Sequence, residues 1–210
     1  MTMKEKALKI LRQRIIEGFY EQGAFLQEVL LAEELGMSRT PIREALLILE
    51  QEGFVSLTPK KGAMVTNLSV KDIHDIFTVR EALELIAIRQ AVGKIDKRVL
   101  LEIKEKLEND LKFVTEGVTI EDFEFGNRIH NEILFAAGNK YIIKMIETLG
   151  YQIKRCINIS RRVRSYEEVC KEHLEIVNAL IMEDEEKAKD ALSRHIRNVM
   201  RDILSIETMN

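Results

Sequence analysis

The sequence predicts a mostly α-helical protein in two parts: three helices closed by a short β-hairpin, then an antiparallel bundle of six or seven helices. Three observations carry this reading. Apolar residues recur at spacings of three and four along most of the chain. Apolar residues alternate in strand fashion only between residues 55 and 66. The 210 residues include two prolines and no tryptophan, a composition that suits helices.

The first helix is expected over residues 4–18, with Leu8, Leu11, Ile15 and Ile16 on one face and Gly18 as the stop. A second runs from about Gln27 to Leu35, with Leu30, Leu31 and Leu35 inward. Gly36 can end it in the left-handed conformation. Ser38 then serves as N-cap of a third helix, its hydroxyl accepting from a backbone N–H of the next turn. Pro41 falls in the first turn, where its missing N–H costs little. Ile42, Ala45, Leu46 and Leu49 form the buried face. Arg39, Thr40 and Arg43 project from the other face, and Gly53 closes the helix. Val55 and Leu57 begin a strand, Thr58-Pro59-Lys60-Lys61-Gly62 turns it, and Ala63 to Thr66 returns. Three helices and a hairpin make a winged helix-turn-helix, whose second helix-turn-helix element enters the DNA major groove.

Ser69-x-x-Asp72 reads as a capping box and opens the second part with almost no linker. The expected parts are thus a DNA-binding unit, residues 1–68, and a helical unit, residues 69–210. Six helices follow: Val70 to Val92, Lys97 to Val114, one capped by Thr119-x-x-Asp122 and ending at Gly138, Lys140 to about Arg162, one capped by Ser165-x-x-Glu168 and reaching Met182, and Asp184 to about Ile206. Short joins make them a bundle.

The formal charge is −3, and residues 1–66 carry nine Lys/Arg against nine Asp/Glu. Any DNA contact must therefore come from basic groups gathered on one face, not from a basic unit. Two cysteines give no disulfide framework. With no apolar run of membrane length and no secretory pattern at the N-terminus, a cytoplasmic protein without membrane contact is expected.

Ser38-Arg39-Thr40-Pro41-Ile42-Arg43-Glu44-Ala45-Leu46, followed by Leu49, Gly53 and Gly62, resembles the GntR superfamily of bacterial transcription regulators. Arg80-x-x-Leu83-Glu84, the stretch from His130 to Gly138-Asn139, Glu172-His173 and His195 resemble its FCD (FadR-type) effector-binding branch. The resemblance implies a homodimer on a palindromic DNA operator, whose grip changes when a small organic acid binds the bundle. It also implies, for metal-containing members, three histidines and a carboxylate or amide around a divalent ion, commonly zinc.

Ser38, Arg39, Thr40, Arg43, Lys60, Lys61 and Gly62 are accordingly the expected DNA contacts. Arg39 and Arg43 are four apart and share a helix face. Arginine is the best bidentate partner for guanine O6 and N7; the alternative is two solvated arginines, one paired with Glu44 or Glu50. Val29 stands where the family often has a basic residue. His130, His173 and His195 are the expected metal ligands, for zinc or else nickel: three of the chain's four histidines, on three different helices, at spacings of 43 and 22 residues that fit the family pattern. Gly126 occupies the usual fourth-ligand position and has no donor. Asn127 is the nearest substitute, through its carbonyl oxygen, and Cys170 reads as a small buried group. His74 reads as surface. Arg80 pairs internally with Glu84 or clamps an anionic effector, and Arg155 is a candidate for the opposite wall. Arg161-Arg162-x-Arg164 reads as a solvated helix end. The rival readings are a metal-dependent hydrolase built on the three histidines, and a binding module that has lost its DNA affinity. The chain has no HExxH, no Glu-x-x-His pair of the di-iron bundles and no evident general base, so an enzyme is not expected.

Overall fold

The computed structural model describes residues 1–58, 62–115, 126–160 and 164–207. The chain divides into two compact units, residues 1–69 and 70–210. Unit one begins with α1 (Met3–Ile16), held at its start by a capping box in which Thr2 and Glu5 exchange hydrogen bonds. Next come β1 (Phe25–Leu26), α2 (Glu28–Leu35) and α3 (Arg39–Gln51), then β2 (Val55–Thr58) and β3 (Gly62–Val65). Residues 59–61, including the expected contacts Lys60 and Lys61, lie outside the described residues.

Gly36 ends α2 with φ +62°, as a left-handed cap requires. Leu11, Ile42, Leu46, Leu49 and Phe54 are fully buried together, so α1, α3 and the sheet share one core. Three expectations need correction. Leu30 does not face inward; it is 57% exposed, because Leu31 and Ala32 take the buried face of α2. Ser38 is the N-cap of α3 by position, but its hydroxyl makes no capping bond. The hairpin is the larger part of a three-stranded antiparallel sheet ordered β1-β3-β2, with Phe25 and Ser56 flanking Met64. A strand of two residues has too short an alternation to be read from sequence. It also fixes Gly62: a Cβ there, at φ +96°, would lie 2.7 Å from the Leu26 carbonyl oxygen.

Unit two comprises α4 (Val70–Ala91), α5 (Lys97–Thr115), α6 (Gly126–Ala137), α7 (Lys140–Ser160), α8 (Tyr166–Ile181) and α9 (Glu185–Glu207). The expected cap Thr119-x-x-Asp122 lies outside the described residues. Ser165 and Glu168 form the capping box of α8 as expected. Helix α4 packs against α6, α7 and α9, and α5 against α8. Among the described residues no helix is long and apolar enough to cross a membrane.

Both cysteines are free and buried. Burial pushes the Cys156 thiol up to about 12 and Cys170 to about 11. Since the thiolate is the reactive form, iodoacetamide at pH 8 is expected to label neither in the folded protein and both after denaturation, as read by intact mass.

Candidate metal centre and nucleic-acid interface

Helix α4 needs an apolar stripe to sit among three neighbours, yet two charged residues stand on it, Arg80 at 4% and Glu84 at 2% exposure. Four residues apart, they share a face, and Arg80 Nε donates to Glu84 Oε1 at 2.7 Å. The second carboxylate oxygen lies 2.5 Å from Nδ1 of His130 on α6. Burial alone would push the Glu84 carboxyl up; His130 and Arg80 outweigh it and hold the group well below the ordinary carboxylate range. Glu84 thus accepts from both neighbours.

His130, His173 on α8 and His195 on α9 converge, with ring centroids 4.5–5.4 Å apart. One potential ligand atom from each lies within 4.8 Å of the others. A second carboxylate orients His195: its Nδ1 is 2.7 Å from Glu172 Oε2. Glu172 is itself held by Asn198 Nδ2 at 2.5 Å and by Arg164, which also meets Asp202 at 3.2 Å. Because the carboxylates only accept, Nδ1 of His130 and of His195 is the donor in these contacts, and Nε2 is the nitrogen of each ring not used by them. Both nitrogens of His173 are buried without a hydrogen-bond partner. Burial first, then the neighbouring His195 and His130 together with Arg80, lowers the His173 pKa well below its ordinary value; His195 is lowered by burial, His130, Arg80 and Arg164. Neutral imidazoles are what a divalent transition metal needs. An orphaned buried imidazole beside two carboxylate-oriented ones fits such an ion and leaves positions open for a further ligand.

The remaining expectations divide. Arg80 pairs with Glu84, the first of the two roles expected of it, and leaves Nη1 buried without a hydrogen-bond partner. Arg155 is buried on α7. The Asn127 side chain lies outside the described residues, and Cys170 is not in the converging group. His74 is exposed, as expected. Arg164 corrects the solvated-end reading: its side chain is 5% exposed and bound to Glu172 and Asp202. The run of arginines reads as solvated in sequence, but Arg164 meets Glu172 on α8 and Asp202 on α9. Arg161 and Arg162 lie outside the described residues. Sequence reasoning gave Glu172 no role of its own. Its adjacency to His173 hid it, since neighbouring helical residues point in different directions, and its partner is 23 residues away.

In unit one, Ser38, Arg39, Thr40 and Arg43 are all exposed at the start of α3. Arg39 and Arg43 line a groove of about 900 Å³ with Phe25, Val29, Leu47 and Gly62. Arg39 forms an ion pair with Glu28, and Arg43 forms none among the described residues. The uncapped Ser38 leaves the first amides of α3 and its own hydroxyl open to an anion.

Comparison with known proteins adds two profile matches: bacterial regulatory proteins of the gntR family over residues 3–65, and the FCD domain over residues 75–198. The HTH-type transcriptional regulator YdhC of Bacillus subtilis (strain 168) is 26% identical over 191 residues, 90% of this chain and 85% of the relative. The gluconate operon transcriptional repressor of the same strain is 34% identical over 155 residues, 73% of this chain and 63% of the relative. The solved structure of Escherichia coli McbR/YncC covers 99% of each chain with a TM-score of 0.78 at 23% identity, a likeness of fold.

Proposed function

The chain belongs to the FCD-bearing regulators of the bacterial gntR family, and from that premise we propose a homodimer that binds a palindromic operator and answers to a small carboxylate effector. Unit one is the reader: Ser38, Arg39, Thr40 and Arg43 meet the duplex, with Lys60, Lys61 and Gly62 toward the backbone or minor groove. Unit two is the sensor, where His130, His173 and His195 hold zinc or nickel and Arg80 faces the effector, with Arg155 on the opposite wall. The single observation that carries the sensor is the buried imidazole of His173, whose nitrogens have no partner while its two neighbours are oriented by carboxylates. When bound, the ion supplies a Lewis-acidic position for a carboxylate oxygen. The chain's own residues do the rest: Glu84 and Glu172 fix the imidazoles, and Arg80 offers a buried N–H to an anion. Two winged units of a dimer must meet half-sites about one helical turn apart. An effector changes DNA affinity only by binding the competent and incompetent states unequally.

Two observations favour a regulator over a hydrolase. The carboxylates nearest the imidazoles, Glu84 and Glu172, are committed to Nδ1 atoms, which is an orienting role. The relatives compared above are named as transcription regulators; one of them carries a sugar acid in its name, which supports a small carboxylate here.

The test combines a mobility shift on the region flanking the protein's own gene with elemental analysis of the purified protein. Salt-sensitive binding to a palindrome, about one zinc or nickel per chain, and stability lost on chelation are expected. Weak association with every duplex overturns the reader. A metal-free protein indifferent to chelators that still responds to an effector overturns the metal centre. Linkage adds a check: an effector that weakens DNA binding must bind less tightly when DNA is present.

A further inference from the structure

Glu28 is the first residue of α2 and Arg39 the first of α3, and both side chains face the groove beside Arg43 and Leu47. Glu28 Oε2 lies 3.5 Å from Arg39 Nη2, with the arginine side chain 67% and the glutamate side chain 28% exposed. A carboxylate on this surface is out of place if the surface only attracts DNA, because it repels every phosphate alike. It makes sense if it restrains the guanidinium. A guanidinium has five N–H donors in a fixed plane, and a guanine edge uses two of them, at O6 and N7. The others remain for a carboxylate, which can bind Arg39 before and after the base does.

Resting on the reader assigned to unit one, we propose that Glu28 is a specificity-determining residue, which holds Arg39 as a pre-set fork for guanine and keeps it off the phosphates. Held this way, Arg39 gives up less rotamer freedom on docking. It also meets adenine badly, since adenine N6–H₂ is a donor where guanine O6 accepts. Freed of Glu28, the same side chain swings to a phosphate and binds any sequence. The residue therefore opposes binding to unrelated sequence while raising selectivity, and its removal must strengthen the first and weaken the second. Arg43, without an ion partner among the described residues, lacks this restraint.

The experiment selects bound duplexes from a randomised library with the full-length wild type, Glu28→Ala and Glu28→Gln. It then measures Kd for the enriched duplex, for guanine-to-adenine changes in each half-site, and for an unrelated duplex. Circular dichroism melts confirm that each variant is folded, and the isosteric Gln variant serves if Ala does not fold. The expected result is that wild type enriches a guanine at one position of each half-site. Glu28→Ala loses that preference by about tenfold or more and binds the unrelated duplex more tightly. A Glu28→Ala or Glu28→Gln variant that keeps the whole wild-type motif overturns the proposal. So does a variant that weakens all duplexes equally, which marks a structural role. A wild type that enriches no motif overturns the reader itself, an outcome distinct from both.

Discussion

Arg43→Ala is expected to weaken binding to the cognate duplex at least about thirtyfold while leaving the fold intact. A good bidentate contact to guanine is worth about 1–3 kcal/mol, and a dimer makes it twice. The lower bound of about 2 kcal/mol for the pair corresponds to roughly that factor. The fold should not suffer, because Arg43 is exposed and has no ion pair among the described residues. Its neighbour Ile42 gives the opposite outcome. Fully buried in the core shared with α1, it should cost about 2–5 kcal/mol of stability as Ala. Arg43→Lys separates the two kinds of DNA contact. Lysine keeps the charge but not the fork, so it restores phosphate binding and the salt slope without restoring discrimination. Fluorescence anisotropy at two salt concentrations reads the two Arg43 variants, and a thermal melt reads Ile42→Ala. An Arg43→Ala protein that binds its operator like the wild type would mean that α3 is not the reading element.

Much of this is legible in the amino-acid sequence, for reasons that differ by element. The buried face of α3 was plain because Ile42, Ala45, Leu46 and Leu49 repeat at helical spacing and all four are buried. The ends of α2 and α8 were plain because Gly36 and Ser165 act locally, through backbone conformation and capping. β1 was not legible: its two residues exist as a strand only because β3 lies beside them. The three histidines could be named from family-like spacing, and the structure brings their rings together. What surrounds them could not be read, because those contacts join residues far apart in sequence. Glu84 meets His130 across 46 positions, and Glu172 meets His195 across 23. Arg164 was misread for the same reason: a run of arginines looks solvated until the partners Glu172 and Asp202 are known.

Those long-range partners set the second large effect. Glu84→Ala is expected to destabilise the protein by about 3–5 kcal/mol, because deleting one member of a buried ion pair strands the other. For a chain of this size that is a fall of about 6–20 °C in Tm. Arg80, at 4% exposure and already with one unpartnered nitrogen, would lose the acceptor of its Nε. His130 would lose the carboxylate that fixes its ring. Glu172→Ala should cost less, since its side chain is 16% exposed and more open to water. The pH dependence has a definite sign. The Glu84 carboxyl is held below its ordinary value of 4.5, so its stabilisation is complete above that pH and is lost as pH falls through the folded value. Glu84→Ala removes that part of the acid sensitivity along with the stability. A metal readout tells orientation from bulk packing: loss of the carboxylate that orients a ligating histidine typically weakens metal binding 10- to 100-fold. Glu84→Gln, which keeps the shape and an acceptor, should recover part of the stability but not the full metal affinity. Melts with and without chelator, and zinc titrations of each variant, measure both effects. If Glu84→Ala melts like the wild type and binds zinc equally well, then Glu84 neither balances Arg80 nor orients His130, and the centre must be held together by other contacts.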